Sequence, residues 1–112
     1  MSSVNITNKL NTLKSSLQKQ EQIIIKLKKS LQDFKLRYPL GNMAVFGSAI
    51  RSDFNEDSDV DILIDFQSDD FLLFNSLAEE LETLLGKKID LVTTRSLKPR
   101  QYEYLKNYLL YV

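Results

Sequence analysis

The sequence predicts an α/β (α+β) fold, a small mixed β-sheet with helices packed on it, preceded by one long helix or a helix pair. Three observations carry this. From Asn5 to Tyr38 there is neither Gly nor Pro, and apolar residues recur at steps of three and four. Three short runs, "NMAVFG", "DVDILIDF" and "KKIDLVT", then read as strands. Between the second and third, Phe71, Phe74, Leu77, Leu81, Leu84 and Leu85 fall at helical spacing.

The long helix is read from Leu10, Leu13, Leu17, Ile24, Leu27, Leu31, Phe34 and Tyr38, with Gln20 filling the one gap in the series. This is a heptad seam sustained for four repeats, with a break into two helices expected, if anywhere, near Ser15 and Ser16. A polar Gln at a seam position is what a register-fixing residue looks like. From Ile24 to Tyr38 the seam is expected to lie on the domain's own core. From Ile6 to Leu17 two readings stay open: packing on the same chain, or a helix that extends past the body and pairs with another chain. Residues 1–30 are accordingly read as an amino-terminal helical extension, a candidate oligomerisation or partner segment, and residues 31–112 as the body.

Pro39 disfavours a helical Tyr38, and Gly41 permits a turn, so the helix stops at "YPLG". The helix between the second and third strands has acidic residues early and Gly86 just past its end. The tail "SLKPRQYEYLKNYLLYV" predicts a last helix opening near Pro99 and ending in an apolar segment.

Composition narrows the chemistry. At 112 residues, 43% hydrophobic and 27% charged, the chain has material for one core. With no Cys and no His, disulfides, thiolate zinc sites, thiol nucleophiles and histidine bases are all excluded. Acid-base or metal chemistry must run on carboxylates, Lys, Tyr or Ser. The start "MSSVNITNKLNTLK" has no apolar signal core and no run is long enough to span a membrane, which reads as cytoplasmic with no membrane partner. The net charge of zero hides an asymmetry. Residues 1–40 carry eight Lys/Arg against two Asp/Glu, and residues 41–112 carry seven against thirteen. The basic helix raises nucleic-acid contact as a reading, but its Lys residues form no stripe and are not interleaved with aromatics, which argues against it.

The informative stretch is "VFGSAIRSDFNEDSDVDILIDF", Val45 to Phe66. On a strand Asp59 and Asp61 project to one face while Val60, Ile62 and Ile64 point to the other. Two adjacent carboxylates repel unless a cation sits between them, and hard oxygen donors with open positions are what Mg²⁺ takes. Asp90, in "KIDLV", completes the cluster if its strand neighbours Val60–Asp65, and can take a proton from an incoming hydroxyl. Gly47 lets backbone approach a ligand closely. Ser48 sits where a helix could begin at Ala49 with free N–H groups for phosphate. A calcium loop starting at Asp57 is excluded, because it needs Gly at its sixth position and Glu at its twelfth, where Ile62 and Ser68 stand.

With Gly47-Ser48, ten intervening residues and Asp59-Val60-Asp61, this stretch resembles the GS-x10-DxD signature of the polymerase-β-like nucleotidyltransferase superfamily, and within it the minimal nucleotidyltransferase (MNT) members. The similarity runs through "LLGKKIDLVTTRSLKP" to the final "YV", roughly residues 31–112. It implies a nucleotidyltransferase fold and a minimal nucleotidyltransferase domain in those residues. By the resemblance, Gly47 and Ser48 would hold nucleotide phosphates, and Asp59, Asp61 and Asp90 would be the catalytic carboxylates and Mg²⁺ ligands; Arg51, which the family pattern keeps, is read either as a nucleotide-phosphate contact or as the ion-pair partner of a nearby Asp. It further implies transfer of AMP from ATP to a hydroxyl. Many MNT proteins are antitoxins that adenylylate a tyrosine of a HEPN ribonuclease toxin, so the resemblance implies a HEPN-type partner. Where family members often continue Gly-Ser as x-Ala-Arg-Gly, this chain has Ala49, Ile50, Arg51 and Ser52. The alternative function is a non-catalytic interaction module that neutralises its partner by binding it.

Overall fold

The computed structural model describes residues 2–51, 54, 55 and 57–112, and of residues 2–7, 12, 13, 15 and 16 the backbone alone. The chain runs α1 (Ser2–Arg37), β1 (Leu40–Phe46), a 3-10 turn (Gly47–Ile50), β2 (Val60–Phe66), α2 (Phe71–Leu85), β3 (Ile89–Thr93), α3 (Pro99–Leu105) and β4 (Leu110–Tyr111). The helix pair does not form. α1 continues through Ser15 and Ser16 as one helix, since neither residue interrupts the i to i−4 ladder as Pro would. It stops at Arg37, just ahead of Tyr38 and Pro39.

The buried side of α1 begins at Ile23 and continues through Leu27, Leu31 and Phe34 to Tyr38. The sequence seam places Ile24 on that line, yet Ile24 is only half-buried and its neighbour Ile23 takes the core position. A straight helix with 3.6 residues per turn drifts against a 3.5-residue repeat, so a strict seam read backward from Leu27 slides onto the adjacent residue. Nearer the amino terminus the seam leaves the core. Leu10 is 52% and Leu17 60% exposed, and the side chain of Leu13 lies outside the described residues. A helix of this length spans about 54 Å, and the molecule's longest dimension is 57 Å.

The four strands form one sheet in the order β3-β2-β1-β4. β2 pairs antiparallel with β1 and parallel with β3, which makes the sheet mixed. Parallel pairing requires a crossover, and α2 supplies it. Asp70 caps α2 by accepting hydrogen bonds from the N–H groups of Leu72 and Leu73, and Gly86 ends it in the left-handed region at φ 64°. The tail departs from expectation. Its last residues leave the helix and form β4 on the edge of β1, with Ala44 opposite Tyr111 and Val45 opposite Leu110.

Both long helices pack on one face of the sheet. Ile23, Leu27, Leu31 and Phe34 of α1 and Leu77, Leu81 and Leu85 of α2 meet Val45, Val60, Ile62, Ile64 and Phe66 in a single cluster. Behind it, Arg37 ties α1 to α2 with an ion pair of 2.8 Å to Glu80 and pairs at 2.8 Å with Asp33 on its own helix, and the Tyr38 hydroxyl also donates to Glu80. Arg37 holds the Glu80 carboxyl below the usual carboxylate range. Among the described residues no helix is long and apolar enough to cross a membrane.

Leu77 is fully buried at the centre of this cluster. Leu77→Ala is expected to lower the unfolding free energy by roughly 2–5 kcal/mol, as cavity-forming core truncations do, and urea denaturation measures it. A loss under about 1 kcal/mol would place the core elsewhere.

Candidate active site

The opposite face of the sheet carries the acids. Period-two alternation along β2 sends Val60, Ile62 and Ile64 into the core, each with no exposed surface, and turns Asp61 to the other side. In the parallel pairing with β3, Asp61 stands opposite Asp90, and in the antiparallel pairing with β1 it stands opposite Phe46. Asp59 lies just ahead of β2 and is exposed, as is Asp90, whereas Asp61 is half-buried.

Asp61 titrates above the ordinary aspartate value. Burial is the largest cause, followed by the charges of Asp90 and then Asp59, with Arg51 pulling the other way. The register therefore preassembles two of the three acids, and Asp59 acts on Asp61 through charge. Among the described residues no three acidic side chains stand close enough to hold a metal ion together. The donor set nevertheless fits one. It offers hard oxygens only, and their mutual repulsion is what a divalent cation relieves.

Gly47 brings the phosphate-loop candidate onto these acids. It adopts φ 68°, and a Cβ built on it would lie 2.1 Å from Asp61 Oδ2. A side chain there is excluded twice, by backbone conformation and by contact. The helix expected from Ala49 is a single 3-10 turn, Gly47–Ile50, because Arg51 is already extended at φ −106° and ψ 155°. The Ser48 hydroxyl donates to the Asp59 carbonyl at 2.9 Å, which fixes the turn to the entry of β2. Arg51 is exposed and its charge reaches Asp61. Ser52 lies outside the described residues.

Two features near the site were not singled out in the sequence as parts of it. Gln20 of α1 donates to the Arg51 carbonyl, and its only sequence signal is being polar in an apolar seam. Further along the acidic face, a hollow of about 300 Å³ is lined by Leu63, Asp65 and Thr94 together with Asn42, Tyr102 and Tyr111. Tyr102 and Tyr111 come from α3 and β4, so nothing local in the sequence points to it.

The site is thus a glycine turn pressed against a strand-borne acid pair, in a chain with neither His nor Cys. The comparisons with known proteins give the class of protein. Residues 24–112 match the nucleotidyltransferase domain family, and the chain belongs to that family and is a nucleotidyltransferase. It is 45% identical over 84 residues to the protein adenylyltransferase MntA of Thermococcus cleftensis, covering 74% of this chain and 82% of that one. A Methanocaldococcus jannaschii relative is 35% identical over 101 residues, covering 87% and 98% of the two chains. Among solved structures, a minimal nucleotidyltransferase superposes with a TM-score of 0.69 at 33% identity, over 81% of this chain and 93% of that one. The toxin-antitoxin structure MntA-HepT shares the fold, with a TM-score of 0.51 at 21% identity over 85% of this chain and 69% of that one.

Two predictions come from this geometry. Because the folded protein raises the Asp61 titration, it binds protons more readily than the unfolded chain there, so stability falls as pH rises through that titration. Asp61→Asn in metal-free buffer is expected to melt several degrees above the parent at pH 7, with the difference closing near about pH 3 where both forms are uncharged. An Asn variant that melts lower at pH 7 would remove the repulsion. Gly47→Ala is expected to cost roughly 1–2 kcal/mol from the left-handed backbone alone and to push Asp61 out of register with Asp90. Its amide and carboxyl NMR shifts around Asp61 should move, and an unmoved Asp61 would contradict the close approach.

Proposed function

We propose that this chain transfers AMP from ATP to a protein hydroxyl, with Mg²⁺, and that the acceptor is a tyrosine of a HEPN-type toxin partner. The observation that carries the catalytic part is the pairing of Asp61 with Asp90 beneath the Gly47 turn. The name of the Thermococcus cleftensis relative and the toxin-antitoxin complexes among the structural relatives support the choice of adenylyl group and partner.

In this reading Gly47 and Ser48 offer backbone N–H groups to the phosphates, and Arg51 adds positive charge at the same end. Asp61 and Asp90, with Asp59 drawn in from the entry of β2, would hold the divalent cation, which would supply positive charge for the phosphates and the departing pyrophosphate. The acceptor oxygen attacks the α-phosphorus, the bond from that phosphorus to the pyrophosphate oxygen breaks, and Asp90 takes the hydroxyl proton. In a chain without His, a carboxylate beside the metal is the reasonable base. The body also leaves the acids on an open sheet face, which suits an acceptor delivered by another protein.

The test is the unfolding midpoint with ATP and Mg²⁺, with ATP and EDTA, and in Asp59→Asn and Asp61→Asn. A rise that needs the metal is expected, equivalent to about 2.7 kcal/mol at 100 times Kd, and it should vanish in both variants. Retained ATP binding in both Asn variants would defeat the catalytic reading and leave a neutralising interaction module.

A further inference from the structure

Gln20 sits where an apolar residue belongs. The seam of α1 steps by three and four through Leu10, Leu13 and Leu17 to Ile24, and Gln20 is its polar member. In a coiled coil such a residue fixes register with a second chain, but here the side chain is used within the molecule. Its amide donates to the carbonyl of Arg51, 31 positions away. That carbonyl also accepts from the N–H of Phe54, a fully buried residue, at 3.3 Å. The Arg51 N–H in turn bonds the Ser48 carbonyl at 3.0 Å. Through its carbonyl and its N–H, Arg51 thus joins α1, the Gly47–Ile50 turn and the core anchor that follows it.

Packing repeats the connection. Leu17, Gln20 and Ile24 of α1 line one groove with Ala49 and Ile50 of the turn. Ile50 replaces the small residue that relatives of this signature often carry, and both it and Ile24 pack against the core cluster. The larger side chain has a place because α1 supplies the other wall. Gln20 lies ahead of residue 24, where the match to the nucleotidyltransferase family begins.

We infer that Gln20 is a positioning residue of the nucleotide site, through which the amino-terminal helix sets the shape of the Gly47–Arg51 turn. This rests on the reading of that turn as the phosphate cradle. Gln20→Leu separates positioning from structure, because Leu keeps the seam apolar and favours the helix while removing the donor. In the full chain, Gln20→Leu is expected to leave the ligand-free midpoint unchanged or higher, to weaken ATP·Mg²⁺ binding about fivefold, the worth of one ordinary hydrogen bond, and to speed amide exchange at Arg51. Gln20→Ala should weaken binding equally.

Wild-type affinity in Gln20→Leu, with unchanged exchange at Arg51, would overturn the inference while leaving the nucleotide site intact. Absence of ATP·Mg²⁺ binding by the unaltered protein would remove the nucleotide reading itself and this inference with it. The two failures are told apart by the parent titration.

Discussion

Asp61 and Asp90 meet because β2 and β3 run parallel in register, and their meeting is unfavourable where both are charged. The remainder of the domain holds them there. On the reverse side of the same strand, Val60, Ile62 and Ile64 are locked into the core, so Asp61 cannot turn away without moving apolar surface into water. Gly47 has no side chain to compete for the space beside it. The repulsion is thus maintained by hydrophobic burial one residue away in either direction.

This explains the lopsided architecture. α1 and α2 both cover one face of the sheet, clamped at their far side by Arg37 and Glu80, and among the described residues Tyr102 and Tyr111 lie toward one part of the face that bears the acids. A domain with helices on both faces would have a larger core and no open acids. Part of the stability lost by leaving one face open is recovered by the length of α1, whose carboxy-terminal half supplies four of the core side chains from Ile23 to Phe34.

What the sequence disclosed follows the range of the interactions that decide it. The faces of β2, the cap and stop of α2 and the end of α1 before Pro39 are settled by residues within a few positions of one another, and all were legible. Asp61 and Asp90 stood out because a carboxylate in an apolar strand violates the local pattern, and their strands do pair with the two opposite each other. β4 was not legible, since two residues have no periodicity and Leu110 and Tyr111 become a strand only by reaching β1, more than sixty positions earlier. Gln20 was visible as an anomaly, but its partner at Arg51 lies across the fold. The shift from Ile24 to Ile23 shows the limit of a whole-number repeat applied to a helix of fractional pitch.

The strand order places β3 at one border of the sheet and the two-residue β4 at the other. Borders expose unpaired peptide groups and invite other chains to add on. At one side β4 is too short to offer much of a template. At the other stands the exposed carboxylate of Asp90, a group costly to bury beneath an added strand. The acid that confronts Asp61 thus also stands against the pairing of further chains at that border.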